Sequence, residues 1–252
     1  MAKPTIKTKE ELMIMKDGGS RLGVIKKALF DKVAVGINAA DIENLACKLI
    51  ASEGGVPSFK EVPGYSWATC VNVNDGVVHG IPKKSLIFRE GDLVSVDIGM
   101  IYKGFHTDTS FTKLLGEDKE LIKFLDTGKR ALKSAIKAAK PGRYIGDISK
   151  AFETELKKDN LTPIKSLTGH GIGRKLHESP LIPCFAGGSS DEKIKIVEGM
   201  ALALEIMYTN GGGEIKTDSD GWTIRTRDGK IAALFEETVG IMKDGPIVFT
   251  KP

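Results

Sequence analysis

From Thr8 to Ser52 apolar residues recur every three or four positions, and two amphipathic helices are expected there. The first runs through TKEELMIMKDGGSRLGVIKKALFDKV. The second, NAADIENLACKLIAS, starts at a capping Asn or Asp and stops at Gly54 and Gly55. Between Tyr65 and Thr112 the pattern shortens to β-rich runs, SWATCVNVND, LVSVDIGM and HTDTSFTKLL, punctuated by Gly and Pro. Helical spacing returns in ELIKFLDTGKRALKSAIKAAK and IGDISKAFETELKKD. Strands follow in ALALEIMY, in GWTIRTRDGKIAALFEETVGIM and in PIVFT.

The order helix, helix, strands therefore occurs twice, and residues recur with it at a nearly constant offset. Lys27-Ala28-Leu29 returns as Arg130-Ala131-Leu132, 103 positions on; Gly36 and Asp41-Ile42 return as Gly142 and Asp147-Ile148, 106 on. Glu90-Gly91 ahead of LVSVD returns as Glu198-Gly199 ahead of ALALE, 108 on. Two half-repeats, about 8–116 and 117–250, are expected to pack around a shared centre within one domain, 1–252. The fold class that follows is α+β, with sheet inside and helices outside.

Both halves put an acid, Asp97 or Glu205, at the fifth position of an apolar strand. Asp108 follows Asp97 by eleven residues. A turn centred on Tyr102-Lys103-Gly104 would set the two roughly opposite, with Cβ atoms about 4.5–5.5 Å apart. Glu205 and Glu236 repeat the arrangement across a longer connection. Four converging carboxylates exceed what shared protons relieve, so hard divalent cations are expected between them. A histidine in the set would bring in Mn, Fe, Co or Zn. The four histidines lie in VVHGIP (His79), GFHTDTS (His106) and GHGIGRKLHESP (His170 and His177). His170 and His177, flanked by small or turn-forming residues, are the better candidates for metal or proton chemistry. His106, two residues from Asp108 on the same strand face, is expected to be supporting or structural.

At 252 residues, 41% hydrophobic and 28% charged, the chain has the composition of a soluble globular protein. Its net charge of +4 is mild, and Lys123, Lys129, Arg130, Lys133 and Lys137 are expected to form a solvated helix face. Specific nucleic-acid binding is not expected; weak attraction to an acidic surface such as ribosomal RNA is the minor reading. Cys47, Cys70 and Cys184 are odd in number and lack CxxC spacing, so neither a disulfide framework nor a zinc knuckle is indicated. With no apolar core at the N-terminus and no long apolar run, neither a signal peptide nor a membrane span is expected, and the cytoplasm is the expected compartment.

Taken together, VVHGIP, DIGM followed by HTDTSF, GHGIG followed by LHESP, a strand glutamate, and GWTIRTRDG running into FEET resemble methionine aminopeptidases of the short type I form. The resemblance covers essentially the whole chain. It implies the pita-bread fold, a pseudo-two-fold α+β domain with an antiparallel sheet, outer helices and a dinuclear centre between its halves. Asp97, Asp108, His170, Glu205 and Glu236 would hold two divalent ions, Co, Mn, Fe or Zn. Asp108 and Glu236 would bridge both; Asp97 would hold one, and His170 with Glu205 the other. His79 would contact the substrate amide or amino end, and His177 the scissile carbonyl. Glu205 would also carry a proton to the leaving amine.

Tyr65, Cys70 and Trp222 match positions that line the methionine pocket. Val62, Phe59 and Leu176 depart from the residues usual there, Ile206 stands where proline is usual, and the Gly211-Gly212-Gly213 run lengthens the loop that follows. The implied reaction is hydrolytic removal of the initiator methionine from peptides and nascent chains whose second residue is small. The implied enzyme is a monomer, with the ribosome as one place where it meets its substrates. From His170 to Glu205 is 35 residues, too short for the insertion of type II enzymes. X-Pro aminopeptidases and prolidases, which use the same five ligands in the same fold, are the alternative; their additional N-terminal domain is not expected here. A catalytically silent ribosome-binding or nucleic-acid-binding relative would be expected to have lost ligands, and all five are present.

Overall fold

The first helix, α1 (Lys9–Lys32), begins at Thr8 because Thr8 and Glu11 cap each other's backbone N–H groups, at 3.2 and 3.0 Å. The second, α2 (Ala39–Ser52), begins at Asn38, whose side chain accepts the Asp41 N–H. In the computed structural model, which describes residues 3–251, five strands follow. They are β1 (Val56–Pro57), β2 (Thr69–Val73), β3 (Gly76–Val78), β4 (Leu93–Tyr102) and β5 (Phe105–Leu114). Helices return as α3 (Lys119–Ala138), started by the Asp118 side chain, and α4 (Ile145–Lys158). Beyond them lie β6 (Thr162–Pro163), β7 (Thr168–Gly171), β8 (Glu178–Pro183) and β9 (Ala201–Thr209). The chain closes with β10 (Ile215–Thr217), β11 (Ile224–Thr226), β12 (Ala232–Met242) and β13 (Gly245–Val248). The apolar pattern does not isolate β6, β7 or β8, which are short and rich in Gly and Pro.

The principal sheet is ordered β1-β4-β5-β12-β9-β7-β8, with β2 beside β4, β6 beside β9 and β13 beside β12. Every pairing is antiparallel. A smaller sheet, β10-β11-β3, lies off it. The centre is the pair β5 and β12; β4 flanks it on one side and β9 on the other, each from the matching place in its half. Helix α1 packs on β4 and β5, and α3 on β9 and β12. Close approach of α1 needs glycine at Gly18 and Gly19. A Cβ there would stand 2.8 Å from Tyr102 Cβ and 2.7 Å from Phe249 Cβ.

The β4–β5 hairpin corrects one expectation. Its loop is two residues, Lys103 and Gly104, both at positive φ (49° and 79°), the signature of a type I′ turn. Tyr102 therefore pairs with Phe105, Asp97 with Ser110 and Gly99 with Asp108. Asp97 and Asp108 are diagonal neighbours on one face, not directly opposite. In the second half Glu205 and Glu236 do stand directly opposite, so the two carboxylate pairs are not copies of one geometry.

Between β5 and β12 the backbone ladder is brief, Glu236 with Ser110 and Glu237 with Thr109. On either side of it a threonine hydroxyl takes over. Thr238 Oγ1 accepts the Asp108 N–H and donates to the Asp108 carbonyl, both at 2.8 Å. Thr112 Oγ1 does the same for Leu234, at 3.0 and 2.8 Å. The two strands are thus wedged apart symmetrically about their midpoint, which opens the sheet where the acids gather.

Helix α2 fixes the start of β2 through a buried acid. Glu43 accepts the N–H groups of Ala68 and Thr69 at 2.8 and 2.9 Å and the Thr69 hydroxyl at 2.7 Å. Glu43→Ala leaves all three donors without an acceptor, at about 1–3 kcal/mol for each that stays dry. A loss of about 3 kcal/mol in unfolding free energy is expected in urea denaturation. An unchanged midpoint would show that water reaches these donors.

Candidate metal centre

Strand register builds the site. Asp97 on β4 pairs with Ser110 on β5, Ser110 with Glu236 on β12, and Glu236 with Glu205 on β9. One lateral row across four strands thus carries three acids, and paired residues in a sheet share a face. Asp108 lies two residues along β5 on that same face. His170 on β7 pairs with Ala203, two residues along β9 from Glu205. All five side chains line a cavity of about 330 Å³, and among the described residues no lysine or arginine lines it. One ligand atom each from Asp108, His170 and Glu236 falls within 4.8 Å of the others.

The acids are crowded and largely dry. Burial pushes the Asp97 carboxyl up to about 7, partly offset by the neighbouring Asp108 and Glu236 carboxyls, which can donate to it when they are protonated. Asp108, Glu205 and Glu236 are pushed well above the usual carboxylate range, by burial first and then by each other's charge and that of Asp97. Burial also lowers His170 to about 3, so its imidazole is neutral. Its Nδ1 lies 3.0 Å from the Gly171 carbonyl, which only accepts, so Nδ1 carries the proton. The lone pair is then on Nε2, which stands 3.6 Å from Glu205 Oε1. A backbone carbonyl that fixes the tautomer in this way is a common support for a metal-binding histidine.

These residues fit divalent cations. Asp97 Oδ1 and Glu236 Oε1 are buried with no hydrogen-bond partner among the described residues. Such orphaned carboxylate oxygens are costly unless protonated or bound to a positive charge. Oxygen donors with one neutral imidazole suit hard or borderline divalent ions rather than soft ones.

The other candidate residues surround the same cavity. His79 follows β3 in the left-handed region (φ 58°), a conformation worth about 1–3 kcal/mol of strain for a residue with a side chain. A hydrogen bond from the Val71 N–H to the Gly80 carbonyl, 2.8 Å, holds it there. His177, just before β8, packs edge-on to His170 with ring centres 4.5 Å apart. Solvent reaches both His79 and His177 through the cavity. Protein crowds them on the remaining sides and lowers both below the ordinary imidazole value, His79 also through His177.

Tyr65, Cys70 and Trp222 line one wall with Phe59, Val62 and Leu176. Tyr65 stacks edge-on against Trp222 and Trp67, at 5.0 and 5.2 Å, and donates its hydroxyl to the Thr69 carbonyl at 2.9 Å. His106 stays outside the lining; its Nδ1 is 3.0 Å from Ser58 Oγ and its Nε2 3.6 Å from Glu61. Sequence reasoning missed Val78, Ser166, Leu167, Thr168 and Leu181, which complete the lining. Only their nearness to VVHGIP, GHGIG and LHESP could have signalled them. A larger groove, about 850 Å³, lies between α1 and α3 on the helix side of the sheet. Among the described residues its titratable lining is lysine with Glu237 alone, so it gathers no catalytic set.

Comparison with known proteins agrees with this geometry. The model of metallopeptidase family M24 matches residues 14–242. The methionine aminopeptidase of Aquifex aeolicus (strain VF5) is 38% identical over 228 residues, covering 88% of each chain. The crystal structure of methionine aminopeptidase from Thermotoga maritima has a TM-score of 0.95 at 36% identity, covering 99% of this chain and 100% of that one. Prolidase from Pyrococcus furiosus, with a TM-score of 0.76 at 22% identity, covers 98% of this chain and 65% of its own and shares the fold alone. The architecture is the pita-bread fold common to these enzymes, as the sequence resemblance implies. Likeness of this extent in sequence and fold means that the chain belongs to metallopeptidase family M24 and, within it, to the methionine aminopeptidases.

Proposed function

We propose that this protein hydrolyses the N-terminal methionine from peptides and nascent proteins whose second residue is small. It does so with two divalent cations held by Asp97, Asp108, His170, Glu205 and Glu236. The observation that carries this reading is the cavity itself. Its acids and histidines share it with an apolar wall made by Tyr65, Cys70, Trp222, Phe59, Val62 and Leu176. An unbranched apolar side chain such as methionine fits such a wall, and the peptide bond that follows it would lie over the carboxylates.

Divalent cations held by these five residues would supply Lewis acidity toward the peptide carbonyl and a lowered pKa for water near neutral pH. Glu205, beside the position of the scissile bond, would accept a proton from the attacking water and hand it to the leaving amine. His177, neutral because its pKa is lowered, keeps one N–H to donate to the oxyanion as it develops. His79, fixed in its left-handed turn, meets the substrate's amide or amino end.

The setting that fits is a monomer in the cytoplasm, acting on chains emerging from the ribosome. Among the described residues no helix is long and apolar enough to cross a membrane. The test is release of methionine from Met-Ala-Ser against release of alanine from Ala-Pro, with metal-stripped protein reloaded by Mn, Fe, Co or Zn in turn. Methionine release that needs added metal is expected. Faster cleavage of Ala-Pro would move the protein to the prolidase reading.

A further inference from the structure

The segment ahead of α1 reaches into the half of the molecule that carries His177. Lys7 donates its backbone N–H to the Gly199 carbonyl at 2.8 Å and turns its side chain inward, where it is 3% exposed. Its Nζ donates to Glu178 Oε2 at 2.7 Å and to the Thr5 carbonyl at 3.2 Å. Glu178 is 7% exposed, opens β8 and directly follows His177. Its other oxygen accepts the Lys175 N–H at 3.2 Å. Gly173 packs against the pair so closely that a Cβ there would collide with Lys7 Cε and stand 2.8 Å from Glu178 Oε1. The Gly173 carbonyl in turn accepts the His106 N–H at 2.7 Å. Residues 173–178 are thereby clamped between the N-terminal segment and β5.

A buried ion pair stabilises poorly against an apolar pair of the same size, because both charges give up water. What it enforces is position, since a charged hydrogen bond tolerates little displacement. Successive side chains at a strand's start point to opposite sides. Holding Glu178 against Lys7 therefore turns His177 toward the cavity.

We infer that Lys7 is a positioning residue: through Glu178 it sets where the His177 ring stands over the carboxylates. The role assigned here rests on the proposed reading of His177 as the group that meets the scissile carbonyl. It also explains why a lysine so near the N-terminus is buried.

The test is the double variant Lys7→Met/Glu178→Leu, which replaces the ion pair by an apolar pair of similar size. It should fold with a melting temperature near that of wild type. With metal-loaded enzyme and Met-Ala-Ser, kcat should fall by about 10- to 100-fold, the cost of a catalytic group displaced by about an ångström. KM should stay within about 3-fold, because the methionine wall is untouched. In a Cys47→Ser background, Lys7→Cys treated with bromoethylamine regains an ammonium group and should regain kcat, with identically treated Cys47→Ser protein as control. In metal-free protein labelled with [¹⁵N]histidine, the His177 signals should move in the double variant and return in the alkylated one.

Wild-type kcat with unmoved His177 signals in the double variant overturns the inference. So does a loss of kcat that alkylation fails to restore. If the wild-type enzyme releases no methionine from Met-Ala-Ser, the proposed function fails instead, while the His177 signals still report on Lys7.

Discussion

Glu236→Ala and Asp108→Ala are each expected to lower turnover of Met-Ala-Ser by more than about 10³-fold, beyond the loss of a single preorganised hydrogen-bond donor at an active site. Glu236 sits in the middle of the carboxylate row and Asp108 two residues along the neighbouring strand on the same face, on the two strands that threonine hydroxyls wedge apart. Each would touch both cations, so its removal is expected to reduce binding at two positions and not one. Calorimetric titration of metal-free protein with Mn²⁺ should accordingly show fewer than two tight sites in either variant. Stability should move the other way. Burial and neighbouring charge both oppose ionisation of these acids, so deleting one relieves repulsion in the metal-free fold. Metal-free Glu236→Ala is therefore expected to melt at or above the wild-type temperature near neutral pH. A variant that is merely misfolded would lose activity and stability together, and one with wild-type turnover would falsify the assignment of bridging roles.

Two of the five candidate ligands were legible because each breaks the pattern around it. Asp97 and Glu205 interrupt runs of apolar β-formers, and a charge in a buried strand demands a compensating partner. Helices α1 to α4 were legible for the opposite reason: spacing and caps agree, as at Thr8 with Glu11 and at Asn38. Hairpin register was not. The expected facing of Asp97 with Asp108 and the observed facing of Asp97 with Ser110 differ by a two-residue shift in pairing. Only backbone conformation separates Asp97 opposite Asp108 from Asp97 opposite Ser110. Thr112 and Thr238 were hidden because threonine is an ordinary strand residue, and nothing local marks one whose hydroxyl replaces a ladder bond. Lys7 was hidden because lysines read as solvated unless a partner is known, and Glu178 is 171 positions away.

The metal-free protein is expected to lose stability as pH rises through about 7, and divalent metal is expected to reverse that slope. Asp97 is raised from 3.8 to about 7 in the folded state, with burial as the main cause. That rise corresponds to about 4 kcal/mol of preference for its protonated form, and structural relaxation makes this an upper figure. Its contribution is complete below about pH 4, where folded and unfolded chains are both protonated. It diminishes above that as the unfolded chain ionises more readily, and is gone once pH passes the folded value. Other carboxylates oppose this. Asp159, held low by hydrogen bonds from Thr127 and Lys123, contributes stability above its unfolded pKa that is lost on acidification.

The difference between wild type and Asp97→Asn removes that shared background. Metal-free wild type should weaken relative to Asp97→Asn between about pH 4 and 8 by a few kcal/mol in urea denaturation. Metal reverses the sign because it binds the ionised carboxylates: at about 100 times the dissociation constant it adds about 2.7 kcal/mol to the folded state. Below pH 7 each binding event must also expel protons from the cluster, which calorimetry in buffers of different ionisation enthalpy would count. A pH-independent difference between the two proteins, with no protons released on Mn²⁺ binding at pH 6, would mean that the acids are ionised and solvated without metal. The burial that makes this row a candidate cation site would then be too small to make it one.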